Sequence, residues 1–439
     1  VLWGIGTEVG LSDEWIFKGG TCLKKCYLET YRFSEDLDFT VLPIGPVKPN
    51  EVEPLLVRAL ARVGDESGID FTRQAPLFKG HSSGRYTEGR AYYVGPRATP
   101  GVASIRLDLT SSEVVVRPTV RRPIAHSYPD HLPGAGDVRC YAPEEVFAEK
   151  LRALGERARP RDLYDVVNLY RRQELPVTPP EVQTVLIEKC RTKGVAVPTV
   201  EGVLAGPRRA ELEAEWENML GHQLPALPPI ADFIAELPHV FEWLTGSRIR
   251  PVLPSVPALP HAGENVAWRA PSSIAIWHRA VPLETVRFAA VNHLLVNLRY
   301  QGSSRLIEPY ALRETRDGNL LLHAIRADDR EHRSYRVDRS EGVTVTNQSF
   351  VPQFAIEFSQ SGTIAAPPAT PRSHAAPWNA TRRASSTRSQ TGSPTYWVQC
   401  PVCQKRFRRS SPSDTDLNEH KNEYGQRCSG SGRRGYLVG

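Results

Sequence analysis

No uninterrupted apolar run in these 439 residues is long enough to cross a bilayer, so the sequence does not read as a membrane protein. No positively charged n-region followed by an apolar h-region can be made out either, which leaves the cytoplasm as the default location. The text opens on Val1 rather than Met, so the chain is expected to be trimmed or incomplete at that end. Cysteine is sparse: seven residues, an odd number without regular framework spacing, which argues against a secreted disulfide scaffold. Cys22, Cys26, Cys140 and Cys190 read as scattered and reduced, whereas Cys400, Cys403 and Cys428 gather near the end. Charge of one sign is also in short supply, with a net of only +6. The arginines nevertheless cluster at 117–122, 157–161, 171–172 and 405–409. Such clusters favour a polyanionic partner, or else they are a high arginine content spread over a solvated surface.

What is present suits a globular chain, 40% hydrophobic and 24% charged. Its length exceeds what a single core usually organises, so two or three domains are expected. The chemistry concentrates in the run FKGGTCLKKCYLETYRFSEDLDF. A short strand (WIFKGG) leads into Gly19, Gly20 and Thr21, a helix (TCLKKCYLETY) follows, and the chain re-enters a strand at DLDFTVLP. Asp36 and Asp38 are two residues apart, so on a strand they share a face and can hold a pair of divalent cations over a triphosphate. Glycines without a Cβ let backbone N–H groups approach phosphate oxygens, and the helix N-terminus would face them.

Further on, EVEPLLVRALARVG has Leu55, Leu56, Leu60 and Val63 at helical spacing. AYYVG, SIRLDLT and EVVVRP read as antiparallel strands. In the second of these, Arg106 and Asp108 face away from Ile105, Leu107 and Leu109. Asp108 is therefore either a third carboxylate for a two-cation site or the outward polar residue of a half-buried strand; the upstream motif favours the first. Two helices follow, PEEVFAEKLRALGERA and RDLYDVVNLYRRQ, separated by Pro160. Lys150, Ala153 and Arg157 share one face, as do Asp162 and Asp165 on the second helix, where Arg161 and Asp165 could also form a plain i,i+4 salt bridge.

Gly-Gly-Thr followed by Asp-x-Asp resembles the nucleotidyltransferase signature of the polymerase-β-like superfamily. In detail, Lys18-Gly19-Gly20-Thr21 with Arg32-x-Ser34-x-Asp36-Leu37-Asp38-Phe39 is similar to the AbiEii/AbiGii toxin family. The second segment, Glu149-Lys150-Leu151 through Arg157 and then Arg161-Asp162-Leu163-x-Asp165, resembles the same family's second signature. This resemblance implies that Gly19, Gly20, Thr21, Arg32 and Ser34 bind the nucleotide. It further implies that Asp36, Asp38 and Asp108 hold Mg²⁺, that Lys150 contacts the triphosphate, and that Asp162 or Asp165 supports the site. It also implies an NTP donor, an RNA acceptor such as the 3′ end of tRNA, and a separate antitoxin.

After Pro-rich text and helical fragments such as AELEAEWENMLG and IADFIAELPHVFEWL, a helix (LETVRFAAVNHLL) leads into short strands with turns at 301–304 and 317–319. Leu298-Arg299-Tyr300, Arg305-x-Ile307-x-Pro309-Tyr310, Leu321-Leu322-x-Ala324 and Arg333-x-Tyr335-Arg336-Val337-Asp338-Arg339 resemble a WYL domain, although Asn319-Leu320-Leu321 stands where the naming Trp-Tyr-Leu would be. The resemblance implies a nucleic-acid-binding groove lined by Arg305, Arg326, Arg333, Arg336 and Arg339. Alternating arginines on a strand are otherwise a solvated face. In the tail, Cys400-x-x-Cys403, then His420 and Cys428, supply a tetrahedral donor set for structural zinc, with Phe407 and Leu417 as a small core.

The expected fold is α+β: a polymerase-β-like nucleotidyltransferase domain with a helical C-terminal part over 1–250 and a Pro-rich linker at 251–263. A small β-rich WYL-like domain at 264–358, a flexible linker at 359–394 and a zinc-finger-like module at 395–439 complete it. The expected function is Mg²⁺-dependent nucleotide transfer to RNA. The alternative is a nucleic-acid-binding regulator that senses nucleotide without catalysis.

Overall fold

Trp15, Phe17 and Phe39 explain why the first strands form where they do: β1 is apolar through Trp15, Ile16 and Phe17, Phe39 on β2 stands between Asp38 and Thr40, and the Trp15 and Phe17 rings each meet Phe39 at a centroid distance of 5.2 Å. In the computed structural model the described residues are 1–28, 32–95, 101–126, 132–134, 136–172, 175–268, 283–358, 396–403, 405–409, 413–420, 427–429 and 433–438. They fall into two compact units, 1–372 and 373–439. The expected linker at 359–394 lies outside the described residues.

The first unit opens with α1 (Leu2–Thr7), β1 (Trp15–Lys18), α2 (Gly19–Cys22) and a π-helical turn over Leu23–Tyr27. Then come β2 (Asp36–Val41), α3 (Pro49–Ser67), β3 (Leu77–Gly80), β4 (Tyr86–Tyr93), β5 (Ala103–Thr110), β6 (Val120–Pro123) and β7 (Asp137–Cys140). These strands make one sheet in the order β3-β4-β5-β2-β1-β7-β6. It is mixed: β1 runs antiparallel to β2, whereas β2 and β5 are parallel, as are β1 and β7.

Two expectations are corrected here. The helix does not start after the glycines: Gly19 and Gly20 are its first turn, and it ends at Tyr27. EVVVRP is not a strand. The backbone N–H groups of Val116 and Arg117 donate to the buried Glu145 carboxylate, and Lys189 Nζ donates to the Val114 carbonyl. Side chains thus satisfy this apolar segment, so it needs no ladder.

Helices α4 (Pro143–Arg157), α5 (Pro160–Arg171), α6 (Pro179–Lys193), α7 (Val200–Leu204), α8 (Gly206–Leu220) and α9 (Ile230–Leu244) pack beside this sheet. Ala158 takes the left-handed conformation, φ 47°, and closes α4; Pro160 at the first position of α5 then restarts the helix as the sequence reading expected. Almost every residue of α5 is buried, including Asp162 and Asp165.

A second sheet follows, formed by β8 (Glu264–Asn265), β9 (Leu294–Tyr300), β10 (Ser303–Thr315), β11 (Leu320–Arg326), β12 (His332–Arg336) and β13 (Ser340–Ser349), preceded by α10 (Leu283–Val291). Gln301 and Gly302, both at positive φ, make the two-residue turn between β9 and β10. The Pro-rich stretch lies along this sheet, with Val256 buried and its carbonyl accepting from Arg313. Tyr164 of α5 donates to Asn292 at 2.7 Å, tying the helical layer to this β-rich part. The second unit has three short strands, β14 (Tyr396–Gln399), β15 (Arg406–Arg409) and β16 (Tyr436–Val438), around Val398 and Leu417.

Candidate active site

Strand register builds the site. Asp38 is paired with Lys18 on β1 and with Asp108 on β5, and Asp108 in turn with Glu88 on β4. Glu88 pairs with Lys79 on β3. Paired residues project from one face, so five strands contribute a charged row with three carboxylates in the middle and a lysine at each end. Asp36 sits two residues before Asp38 on the same face, partly exposed, with Arg106 Nη1 3.9 Å away. Among the described residues, the oxygens of Asp36, Asp38 and Asp108 do not all lie within 4.8 Å of one another.

Burial, reinforced by Asp108 and Asp36, pushes the Asp38 carboxyl up to about 6 against the pull of Lys18 and Lys150. Asp108 is also raised, mainly by burial and by Asp36 and Glu88, although Tyr86 donates to it at 3.0 Å. Lys18 is the strongest pull in the opposite direction on Asp38, but its ammonium is shared with Glu113, and burial still wins. Burial works to lower that ammonium, but Glu113 and Glu149 outweigh it and hold it above its ordinary value. Tyr86, Glu88 and Glu113 were missed in the sequence, and Lys18 was read only as part of the motif; the alternation of β4 could have exposed the first two, but only register shows their partner.

The glycine turn positions these acids. Gly19 has φ +77°, and a Cβ there would overlap the Asp38 carboxylate. At Gly20 a Cβ would come within 2.8 Å of both the Arg32 guanidinium and the Ser34 hydroxyl. Thr21 Oγ1 donates to the Asp36 carbonyl at 2.6 Å, pinning the turn to β2. The motif's side chains and backbone thus close on each other, with Gly19 lending its missing Cβ to Asp38.

Lys150, Asp162 and Asp165 meet in a buried ion-pair network rather than on the acidic row. Lys150 Nζ lies 2.6 Å from Asp165 and 3.7 Å from Asp162. Arg32 grips Asp165 through two bonds of 2.8 and 3.1 Å, and Arg157 grips Asp162 at 2.7 and 3.0 Å. Burial lowers the Lys150 ammonium to about 8 despite Asp162. For Asp162, burial is outweighed by Arg157 and Lys150, which hold it below the usual carboxylate range. Burial drives Asp165 well above the usual carboxylate range even though Arg32 and Lys150 both contact it.

The arginines of the second sheet do not form one free basic surface. Arg326 pairs with Asp328 and Asp329, Arg333 with Glu331 and Asp329, and Arg336 with Asp338. Arg305 lies over the rings of Tyr300 and Tyr335, 5.2 and 5.9 Å from their centroids, and Arg339 is exposed. In the second unit Cys400, Cys403, His420 and Cys428 converge, every ligand atom within 4.8 Å of the others. His420 Nδ1 sits 2.8 Å from the Asn418 carbonyl, which orients the ring, and the Val402 N–H donates to Cys400 Sγ at 3.4 Å. One sequence reading is overturned: Cys22, Cys26 and Cys140 are not scattered but form a second, wholly buried cluster.

Residues 2–245, more than half the chain, match the family described as nucleotidyl transferase AbiEii toxin, type IV toxin–antitoxin system. The chain belongs to this family. AbiEii membership makes it a nucleotidyltransferase of the toxin type, which implies a nucleotide substrate and a cognate antitoxin. No curated protein matches in sequence. Among solved structures, MenT4, a nucleotidyltransferase toxin from Mycobacterium tuberculosis, is similar at TM-score 0.38 and 22% identity, over 53% of this chain and 75% of the other. An antigenic nucleotidyltransferase-like protein from Paracoccidioides brasiliensis scores 0.23 at 13% identity, over 44% and 89%. Proteasome accessory factor B/C of Arthrobacter aurescens scores 0.15 at 12%, over 65% and 62%. These structural likenesses are too low to carry an argument; the family assignment rests on the matched residues. No helix among the described residues is long and apolar enough to cross a membrane.

Proposed function

We propose that this AbiEii-family chain is a Mg²⁺-dependent, cytoplasmic enzyme that transfers a nucleotide from an NTP to RNA, with the 3′ end of tRNA as the favoured acceptor. The observation that carries the reading is the Asp38–Asp108 register pair, with Asp36 on the same face, beside the Gly19–Thr21 turn. Oxygen donors suit a hard divalent cation: Asp38 and Asp108 stand side by side in register, both raised by burial, and Asp36 shares their face. Asp36, Asp38 and Asp108 would hold it, and bound there it would neutralise phosphate charge and activate an acceptor hydroxyl. Tyr86 orients Asp108, Gly19 lets Asp38 approach the turn, and Thr21 ties turn to strand. Such a site works by alignment and charge complementarity. Lys150, Asp162, Asp165 and Arg32 support it from behind, with Lys150 the candidate contact for the triphosphate and Gly20 and Ser34 lining the turn.

We assign the parts as a transferase domain over 1–250, a WYL-like domain over 264–358 and a zinc module over 395–439. Three sulfurs and one imidazole at mutual ligand distance are the donor set of structural zinc. Incubation with labelled NTP, Mg²⁺ and total RNA, alongside Asp38→Ala, tests the function. Label appearing in RNA only with the unsubstituted chain supports it. Label in the protein band would make a protein hydroxyl the acceptor, and nucleotide binding without transfer would favour the regulator.

A further inference from the structure

Cys22 and Cys26 lie close in sequence, and Cys140 is more than a hundred positions away. Cys22 ends α2, Cys26 lies one turn later in the π-helical segment, and Cys140 ends β7 in register with Phe17 of β1. Their three sulfurs lie within 4.8 Å of one another, and each residue is at most 1% exposed. We propose that these three cysteines form a thiolate site for a soft d¹⁰ cation of the copper(I) class.

The donor set decides the class of ion. Thiolates select soft cations over the hard ions suited to the carboxylate row. Among the described residues no further His, Cys, Asp or Glu joins the cluster. Structural zinc takes four protein ligands, as the tail offers, and catalytic zinc with three keeps an exchangeable water in the fourth place. Full burial leaves no open side for that water, so three-coordinate binding is what this geometry supports. Two cations favour the charged form of Cys26 from nearby: the Arg122 guanidinium, which lies 4.9 Å over the Tyr27 ring and donates to the Cys26 carbonyl at 3.1 Å, and Lys25, which donates to the Ala125 carbonyl at 3.2 Å. Binding displaces the thiol protons to solvent and moves no electron; the ion enters as copper(I) and stays so. Because Cys22 follows Thr21 directly, an ion here would fasten the glycine turn to β7. Core cysteines that merely fill space are the contrasting account.

The full-length chain carrying Cys400→Ser, Cys403→Ser and Cys428→Ser removes competition from the tail. Titrated anaerobically with copper(I) against a colorimetric copper(I) chelator, this chain is expected to retain one equivalent. Retention should vanish on adding Cys26→Ala or Cys140→Ala, and persist on adding Cys190→Ala, a buried cysteine outside the cluster. Circular dichroism checks that each variant is folded. As a readout needing no further variant, copper should shield Cys22, Cys26 and Cys140, but not Cys190, from alkylation in mild denaturant, read by peptide mass. A folded chain that holds no copper, retention indifferent to Cys26→Ala, or equal protection of all four thiols would overturn the proposal.

Discussion

Two groups of aspartates lie close together in the first unit, and they are treated in opposite ways. Asp162 and Asp165 on α5 are fully buried, yet each is gripped by an arginine through two bonds and shares Lys150 with the other. Asp36, Asp38 and Asp108 on β2 and β5 have looser partners: Arg106 at 3.9 Å from Asp36, Lys18 in register with Asp38 but paired with Glu113, and Tyr86 on Asp108. Burial raises Asp38 and Asp108, as it does Asp165. The first arrangement is complete within the chain. In the second, among the described residues, no arginine grips a carboxylate through two bonds, which leaves oxygens for cationic and phosphate ligands. The comparison separates a scaffold from a working surface, and it can be broken by substitution.

The largest effect is expected at the scaffold. Asp165→Ala removes the carboxylate that the buried Arg32 and Lys150 share, leaving Gln223 to Arg32 and the more distant Asp162 to Lys150, and removing one member of such a network costs about 3–5 kcal/mol. A large fall in Tm, or failure to fold, is the expected outcome of thermal unfolding; a chain of unchanged Tm would show that the network is dispensable. On the working surface the sign reverses. The folded-state value of Asp38, about 6, lies above its ordinary 3.8, so the native chain holds this proton more tightly than the unfolded chain. The associated stability is present below about 3.8 and lost as pH rises through about 6, an upper bound of about 3 kcal/mol at 1.36 kcal/mol per unit. Asp38→Asn should therefore raise stability at pH 8 without Mg²⁺ while abolishing transfer, and transfer by the unsubstituted chain should decline as pH falls below about 6.

Smaller effects sharpen the boundary between the two groups. Gly19→Ala meets both a left-handed backbone and the Asp38 carboxylate, so a cost of about 1–3 kcal/mol is expected together with loss of transfer. Tyr86→Phe removes one donor from Asp108. Its expected cost is about 0.5–1.5 kcal/mol in cation affinity, read by titration, with little change in Tm.

Much of the site was legible because it is local. Asp36-x-Asp38 share a face by strand period alone, and the alternation of Ile105 to Leu109 put Asp108 on a polar face without showing its neighbour. Register is not local: that β5 lies parallel beside β2, and that Glu88, Lys18 and Glu113 join the row, follows from pairing across long separations. The Cys22–Cys26–Cys140 cluster was missed for the same reason. EVVVRP misled because β-branched residues imply a strand only where a neighbouring strand is available, and here Glu145 and Lys189 satisfy the backbone instead. The arginine-rich strands read as a basic groove, but acids two residues away neutralise three of those arginines, a pairing that spacing alone leaves open.

Thermal unfolding of the unsubstituted chain and of Asp38→Asn at pH 8, each with and without Mg²⁺, tests the central claim most directly. The account predicts that Mg²⁺ raises the Tm of the unsubstituted chain, and that the variant starts higher and does not respond. An equal Mg²⁺ shift in both chains, or none in either, would contradict the assignment of these carboxylates as the cation site.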